Sequence, residues 1–266
     1  MKTVVVTGST RGIGRGLVEE FLKRDCQVVV SSRHQAAVDE VVAELAASYG
    51  ADKVAGCACD ISSEVSLRAL WDAAISAFGQ VDVWVNNAGI SLDRKPIWEQ
   101  SPADLKQISN TNLDGILLAA HVVLGEMVKA GKGQMWNMEG FGSDGMTSPG
   151  MVAYGATKRA VNYINKALVK EVAGTGVQVC TLSPGMVVTD LLISDYDHSS
   201  EEWAKTKKIF NILADKVETV TPFLAEGILA ADKNGASVKW LTRSKAAGRF
   251  MTAAFNKRDL FSELGI

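Results

Sequence analysis

The stretch KTVVVTGSTRGIGRGLVEEFL, residues 2–22, restricts the fold more than any other part of the chain. A β-branched run, Lys2–Val6, passes straight into Thr7-Gly8-Ser9-Thr10-Arg11-Gly12-Ile13-Gly14, and a helical pattern of Leu17, Val18, Phe21 and Leu22 follows. A continuous apolar run of this length reads as a strand buried on both faces, the usual state inside a parallel sheet. The glycines let the backbone reverse tightly and approach a pyrophosphate seated on the helix N-terminus. With a strand before the loop and a helix after it, a dinucleotide site is expected at Gly8, Ser9, Thr10, Arg11, Gly12, Ile13 and Gly14.

Similar runs recur at Gln27–Val30, Lys53–Cys57, Val81–Val85, Gln134–Met138, Val177–Leu182 and Val238–Leu241. Amphipathic segments lie between them, for example Val38, Val41, Val42 and Leu45 on one helix face. Regular alternation of this kind predicts an α/β fold: a doubly wound parallel sheet of about seven strands with helices on both faces, Rossmann-type. No repeat or linker divides residues 1–266, so a single domain is expected. A composition 47% hydrophobic and 22% charged suits a buried core, and a formal charge of −2 argues against a nucleic-acid footprint.

The opening MKTVVVTG leaves no room for a signal peptide. The apolar stretch near Ile116–Leu124 is interrupted by His121 and too short to span a bilayer. A cytoplasmic protein, or one peripheral to a membrane, is therefore expected rather than a secreted one. Cys26, Cys57, Cys59 and Cys180 read as buried thiols, and with His34, His121 and His198 scattered no metal is assigned.

The second strand ends in Ser31-Ser32-Arg33. An acid at this position would hold a ribose 2′-hydroxyl, whereas Arg33, with Arg11, is suited to a 2′-phosphate. NADPH/NADP+ is thus expected over the unphosphorylated cofactor; the alternative leaves both arginines as solvated surface charges. Asp60-Ile61 closes the third strand where an adenine amino group would find a carboxylate, and Asn87-Ala88-Gly89 after the fourth would line the cofactor floor.

The motifs TGxxxGIG, NNAG, YxxxK and SPG occur in this order, and with them the chain resembles the short-chain dehydrogenase/reductase family from Lys2 to about Leu241. The resemblance implies that Tyr154 exchanges a proton with the reacting oxygen. Lys158, one helical turn later, would favour the phenolate of a group whose free pKa is near ~10 and would hold the nicotinamide ribose. Asn112 would support a water relay to that lysine. Pro184, Gly185, Val187 and Thr189 would anchor the carboxamide. A homodimer or homotetramer through helices around 102–129 and 152–173 is implied as well.

One segment departs from the family pattern. Asn-x-Ser-Ser would place serines where this chain has Glu139 and Gly140. Ser143, between Gly142 and Asp144, is the expected substitute to orient a substrate carbonyl; the alternative gives that contact to backbone or water. The run Trp136-Asn137-Met138-Glu139-Gly140-Phe141-Gly142-Ser143 is similar to that of chlorophyll b reductases, as are Ser183–Leu192 and Lys208–Ile212. That resemblance implies NADPH-dependent reduction of the 7-formyl group of chlorophyll b or a related tetrapyrrole to hydroxymethyl. The alternatives are a reductase of smaller carbonyls and an NADPH-binding sensor without turnover. Phe141, Met146, Met186, Leu191 and Leu192, with Tyr196, Trp203 and Phe210, are the candidates to wall a broad apolar cleft. Residues 186–216 would form a flap over it. Residues 242–266 would form a C-terminal extension, either touching a membrane or acidic partner through a basic amphipathic face, or packing on its own domain or a sister subunit.

Overall fold

The computed structural model describes residues 1–256 and 258–265. Seven strands form one parallel sheet: β1 (Thr3–Thr7), β2 (Gln27–Ser31), β3 (Val54–Gly56), β4 (Val83–Asn86), β5 (Gly133–Met138), β6 (Val177–Ser183) and β7 (Ser237–Lys239). Their order is β3-β2-β1-β4-β5-β6-β7, so chain direction across the sheet reverses between β1 and β4, opening a crevice at their carboxyl ends.

Alternate strand residues feed opposite cores. Val4, Val6, Val28, Val30, Val83 and Val85 pack with the helices α1 (Gly12–Lys23), α2 (Gln35–Tyr49) and α10 (Val217–Ala230) on one face. Val5, Val29, Trp84, Met135 and Val179 meet α3 (Glu64–Phe78) and the helical stretch from 102 to 130 on the other. Both side-chain rows are buried, which is why these strands read as unbroken apolar runs.

That helical stretch consists of α4 (Pro102–Ser109), α5 (Gly115–Ala119) and α6 (Gly125–Ala130), joined by π-turns at Asn110–Asp114 and Ala120–Leu124. The first π-turn carries Asn112, and π-turns often mark sites where a helix must present a polar group inward. Next to it runs α7 (Val152–Glu171), with Ile116, Val161 and Ile164 packed between them.

Beyond β6, α8 (Asp190–Ile193) and α9 (Glu201–Leu213) precede α10, and α11 (Arg243–Thr252) begins the extension. Trp203, Phe210, Ala214 and Phe261 form a satellite core, joined by Met186, Val188, Leu192 and Tyr196. The extension is thus fastened to its own domain. Buried Asp215 accepts from Trp240 Nε1 at 2.6 Å and pairs with Arg249 at 2.8 Å and Arg258 at 2.6 Å. No helix among the described residues is long and apolar enough to cross a membrane.

Candidate active site

Tyr154 and Lys158 lie one turn apart on α7, with the Lys158 Nζ 5.8 Å from the Tyr154 ring centre. Lys158 is only 5% exposed, and its Nζ donates to the Met138 carbonyl at 3.1 Å. Burial lowers the Lys158 ammonium from 10.5 to about 8, opposed by the negative charge of Glu139. Burial also pushes the Tyr154 phenol up to about 12, with Asp195 adding to the effect. Desolvation, which disfavours the charged phenolate, thus sets the state of the phenol in place of the lowering expected from Lys158. Tyr154 stays protonated at neutral pH, the state a proton donor requires.

Asn112 faces the loop after β4. Its Oδ1 accepts from the Ile90 amide at 2.9 Å, while its Nδ2 donates to the Ile90 carbonyl at 2.9 Å and to Thr157 Oγ1 at 3.3 Å. Gly89 completes the grouping: a Cβ there would stand 3.3 Å from Asn112 Oδ1 and 3.9 Å from Lys158 Nζ. The π-turn, the β4 loop and α7 thus bring three expected site residues together.

The departure after β5 has a steric explanation. A Cβ on Gly140 would lie 2.5 Å from the Tyr154 hydroxyl and 3.2 Å from Lys158 Cε. A serine at this position is incompatible with this placement of Tyr154. Gly142, at φ +93°, comes so close to α7 that its Cβ would lie 2.6 Å from Gly155 Cα. Between these contacts the loop turns back, and the buried Ser143 hydroxyl accepts from the Gly140 amide at 3.1 Å. Arg159 donates to the Ser143 carbonyl at 3.0 Å. Glu139 is buried beneath the loop, accepting from Asn162 Nδ2 at 2.9 Å. Gly140→Ala is expected to reduce turnover about 100-fold by displacing the Tyr154 hydroxyl while cofactor affinity changes little. Steady-state rates alongside cofactor titration check this, and wild-type turnover would contradict it.

The cofactor end is built from close backbone contacts. Gly8, at φ +64°, packs so that a Cβ would meet Ala88 Cα at 2.9 Å, and one on Gly14 would meet the Gly8 carbonyl at 2.3 Å. Asn87 Nδ2 donates to the Thr7 and Gly8 carbonyls at 2.9 and 3.0 Å. The Ser9 hydroxyl is engaged internally: it donates to the Val6 carbonyl at 2.6 Å and accepts from the Ser31 amide at 2.9 Å. It thereby ties the loop to β2 and leaves the backbone to face a ligand. Helix α1 has no side-chain cap and no acid in its first turn, so its amides and dipole suit a pyrophosphate. The loop geometry fits a dinucleotide.

Thr10 is half-buried in that loop, and Ile13, in the first turn of α1, packs partly into the core. Arg33 is exposed at the end of β2, and Ser62 with Arg33 lowers the Asp60 carboxyl. Ile61 is buried, and a Cβ on Gly115 would meet it at 2.9 Å. On the nicotinamide side, buried Pro184 precedes Gly185, at φ +73° against Leu241. Val187 is buried in a bridge to Asp215, and Thr189 Oγ1 donates to the Val187 carbonyl at 3.3 Å. Thr189 also approaches the glycine loop, since a Cβ on Gly12 would lie 3.4 Å from it, and Arg11 pairs with Asp190 at 2.9 Å.

The candidate cleft residues divide. Phe141 is half-buried, and Met146 and Leu191 are 62% and 43% exposed. Met186 and Leu192 lean on the satellite core. Trp203 and Phe210 do not wall a cleft: they are buried within that core, edge-on to each other, with Phe210 edge-on and Trp203 tilted to Tyr196, because Phe261 supplies an apolar partner. Tyr196 lies under the Arg94 guanidinium at 4.5 Å. Several site neighbours escaped sequence inspection, namely Thr157, Asn162, Ser91 and Asp195. Of these, only Asn162 carried a signal, its position four residues after Lys158 on the same helix face.

The family model for short chain dehydrogenase matches residues 2–199. The chain is 36% identical over 265 residues to "Chlorophyll(ide) b reductase NOL, chloroplastic" of Oryza sativa subsp. japonica, spanning 96% of this chain and 76% of that protein. It is 33% identical over 280 residues to "Probable chlorophyll(ide) b reductase NYC1, chloroplastic" of Arabidopsis thaliana; the match spans 99% of this chain but about half, 55%, of that relative. Among solved structures, 3-ketoacyl-(acyl-carrier-protein) reductase from Brucella melitensis, complexed with NADH, is similar with a TM-score of 0.76 and 26% identity. That alignment covers 90% of this chain and 96% of the other. The chain belongs to the short-chain dehydrogenase family of oxidoreductases.

Proposed function

We propose that this protein is an NADPH-dependent carbonyl reductase that converts the 7-formyl group of chlorophyll b, or of a related tetrapyrrole, to a hydroxymethyl group. The observation that carries this reading is the rebuilt loop after β5. Gly140 makes room for the Tyr154 hydroxyl, and buried Ser143 folds back beside Gly140. The chlorophyll(ide) b reductase names of the relatives supply the substrate class.

The nicotinamide dinucleotide, when bound, supplies the hydride to the formyl carbon. Tyr154 then gives its proton to the carbonyl oxygen, and Ser143 orients that oxygen by donating its hydroxyl hydrogen. Lys158 holds positive charge beside the phenol and contacts the nicotinamide ribose. Asn112 fixes the Ile90 backbone and Thr157 behind the pair. The glycine loop and α1 receive the pyrophosphate, with Asp60 and Ile61 at the adenine end. Pro184, Gly185, Val187 and Thr189 hold the carboxamide. Phe141, Met146, Met186, Leu191 and Leu192 meet the apolar ring.

The phosphorylated cofactor is favoured by Arg33, which is exposed where a ribose 2′-phosphate would lie, because a guanidinium binds a phosphate in forked geometry. Arg33→Ala is expected to raise the Kd for NADPH by roughly 10- to 100-fold while leaving that for NADH nearly unchanged. Titration with both cofactors checks this, and equal losses for both would remove Arg33 from the phosphate site.

We also infer a homodimer or homotetramer through α4–α7, where Leu117, Val128, Val152 and Tyr163 stand exposed. Exposed Phe250, Met251 and Phe255 at the end of α11 offer an apolar edge for peripheral contact with a pigment-bearing membrane. The deciding experiment is incubation of the purified protein with NADPH and chlorophyll b in mild detergent, with products separated by chromatography. Appearance of 7-hydroxymethyl chlorophyll is expected. Its absence from protein that binds NADPH would redirect the assignment to smaller carbonyls.

A further inference from the structure

Glu139 lies where the family pattern would place a serine, yet a carboxylate there is buried, with only 6% of its side chain exposed. A buried charge is costly unless its environment answers it. Among the described residues one hydrogen bond reaches it, from Asn162 Nδ2 at 2.9 Å. Lys239 on β7 stands 4.0 Å away and is half exposed to solvent, so it answers the charge only weakly.

A second cation that feels this charge is Lys158, whose burial calls for a counter-charge. Its Nζ donates to Met138, and its side chain packs where a Cβ of Gly140 would lie, so it contacts the residues on both sides of Glu139. Asn162, which holds the Glu139 carboxylate, is one helical turn beyond Lys158 on the same face of α7. Helix geometry therefore stations the carboxylate beside the lysine and behind the reacting pair.

We propose that Glu139 is a positioning residue whose buried carboxylate keeps Lys158 in its cationic form, so that the lysine can act on Tyr154 and the cofactor ribose. The inference deepens the reading of Tyr154 and Lys158 as the working pair and rests on it. Other charged groups face the pair from each side. Arg159 comes from α7 itself, Lys239 from β7, and Asp195, which raises the Tyr154 phenol, from the segment after β6. Asn112 and Gly89 are neutral. The negative charge of Glu139 opposes the burial of Lys158, whereas Asp195 acts on the phenol.

The sign of the effect is fixed. Removing a negative neighbour makes an ammonium easier to deprotonate, so the Lys158 titration moves to lower pH. In Glu139→Gln the amide oxygen still accepts from Asn162, and only the charge is lost. NMR titration of the Lys158 ε-carbon in full-length protein labelled with 13C-lysine, assigned with Lys158→Arg, reads this directly. The midpoint is expected to fall by about one pH unit, and the alkaline limb of the reduction rate should move the same way. Glu139→Asp should restore both. An unchanged Lys158 midpoint in Glu139→Gln would overturn the proposal.

Should Glu139→Gln not fold, Glu139→Ser, which installs the residue of the family pattern and likewise removes the charge, takes its place. The same fall of the Lys158 midpoint is expected, and an unchanged midpoint overturns the proposal equally. The titration requires no substrate. Failure of the wild-type protein to reduce chlorophyll b would instead count against the proposed reaction and leave the Lys158–Glu139 result standing.

Discussion

Tyr154→Phe is expected to lower formyl reduction by about 10²- to 10⁴-fold, the usual contribution of a positioned proton donor, with NADPH binding preserved. The substitution removes one oxygen and keeps the ring that fills α7's first turn, so the fold should be undisturbed. The Tyr154 phenol is pushed up to about 12 by burial, so it is protonated throughout the neutral range and available to the oxygen as charge develops there. Single-turnover measurement separates the step from cofactor binding. A variant retaining more than a tenth of wild-type turnover would show that the proton comes from elsewhere.

Asp215→Ala should have the largest effect on stability. The side chain is 4% exposed and meets Arg249, Arg258 and the Trp240 indole at 2.8, 2.6 and 2.6 Å. Breaking a buried ion pair from one side costs about 3 kcal/mol or more; the arginines are 19% and 25% exposed and partly rehydrate, which places the expected loss near the lower end. For a chain of this length that corresponds to a fall of roughly 6–10 °C in Tm. The loss should be accompanied by faster proteolysis of the extension, because Arg249 and Arg258 tie α11 and the segment beyond it to Asp215. A thermal midpoint within one or two degrees of wild type (about 0.5 kcal/mol) would show the three-way pairing to be energetically idle.

The sheet was legible because its central strands are buried on both faces and each glycine motif sits at a strand end. TGxxxGIG, NNAG and YxxxK therefore pointed to real three-dimensional neighbours: Gly8 on Ala88, and Asn112 near Lys158 across Gly89. Trp203 and Phe210 were misleading since large aromatics in a polar stretch resemble cleft lining. Their true partner, Phe261, stands some fifty residues downstream and carries no periodic signal. The engagement of the Ser9 hydroxyl by Val6 and Ser31 depends on how β1 and β2 pair, which no local pattern displays. What stayed hidden were side-chain pairings between elements distant in sequence, such as Glu139 with Asn162 and Asp195 with Ser91.

Behind the site runs a chain of buried amides that starts from an indole. Trp84 Nε1 donates to Asn86 at 2.8 Å, Asn86 to Asn137 at 2.7 Å and Asn137 to Asn165 at 2.7 Å. Asn165 ends the series with its Nδ2 buried and without an acceptor. An indole only donates, so Trp84 sets the direction in which every amide after it points. The four side chains are therefore energetically coupled: an apolar residue at position 86 would leave the Trp84 indole without an acceptor and Asn137 Oδ1 without a donor at once.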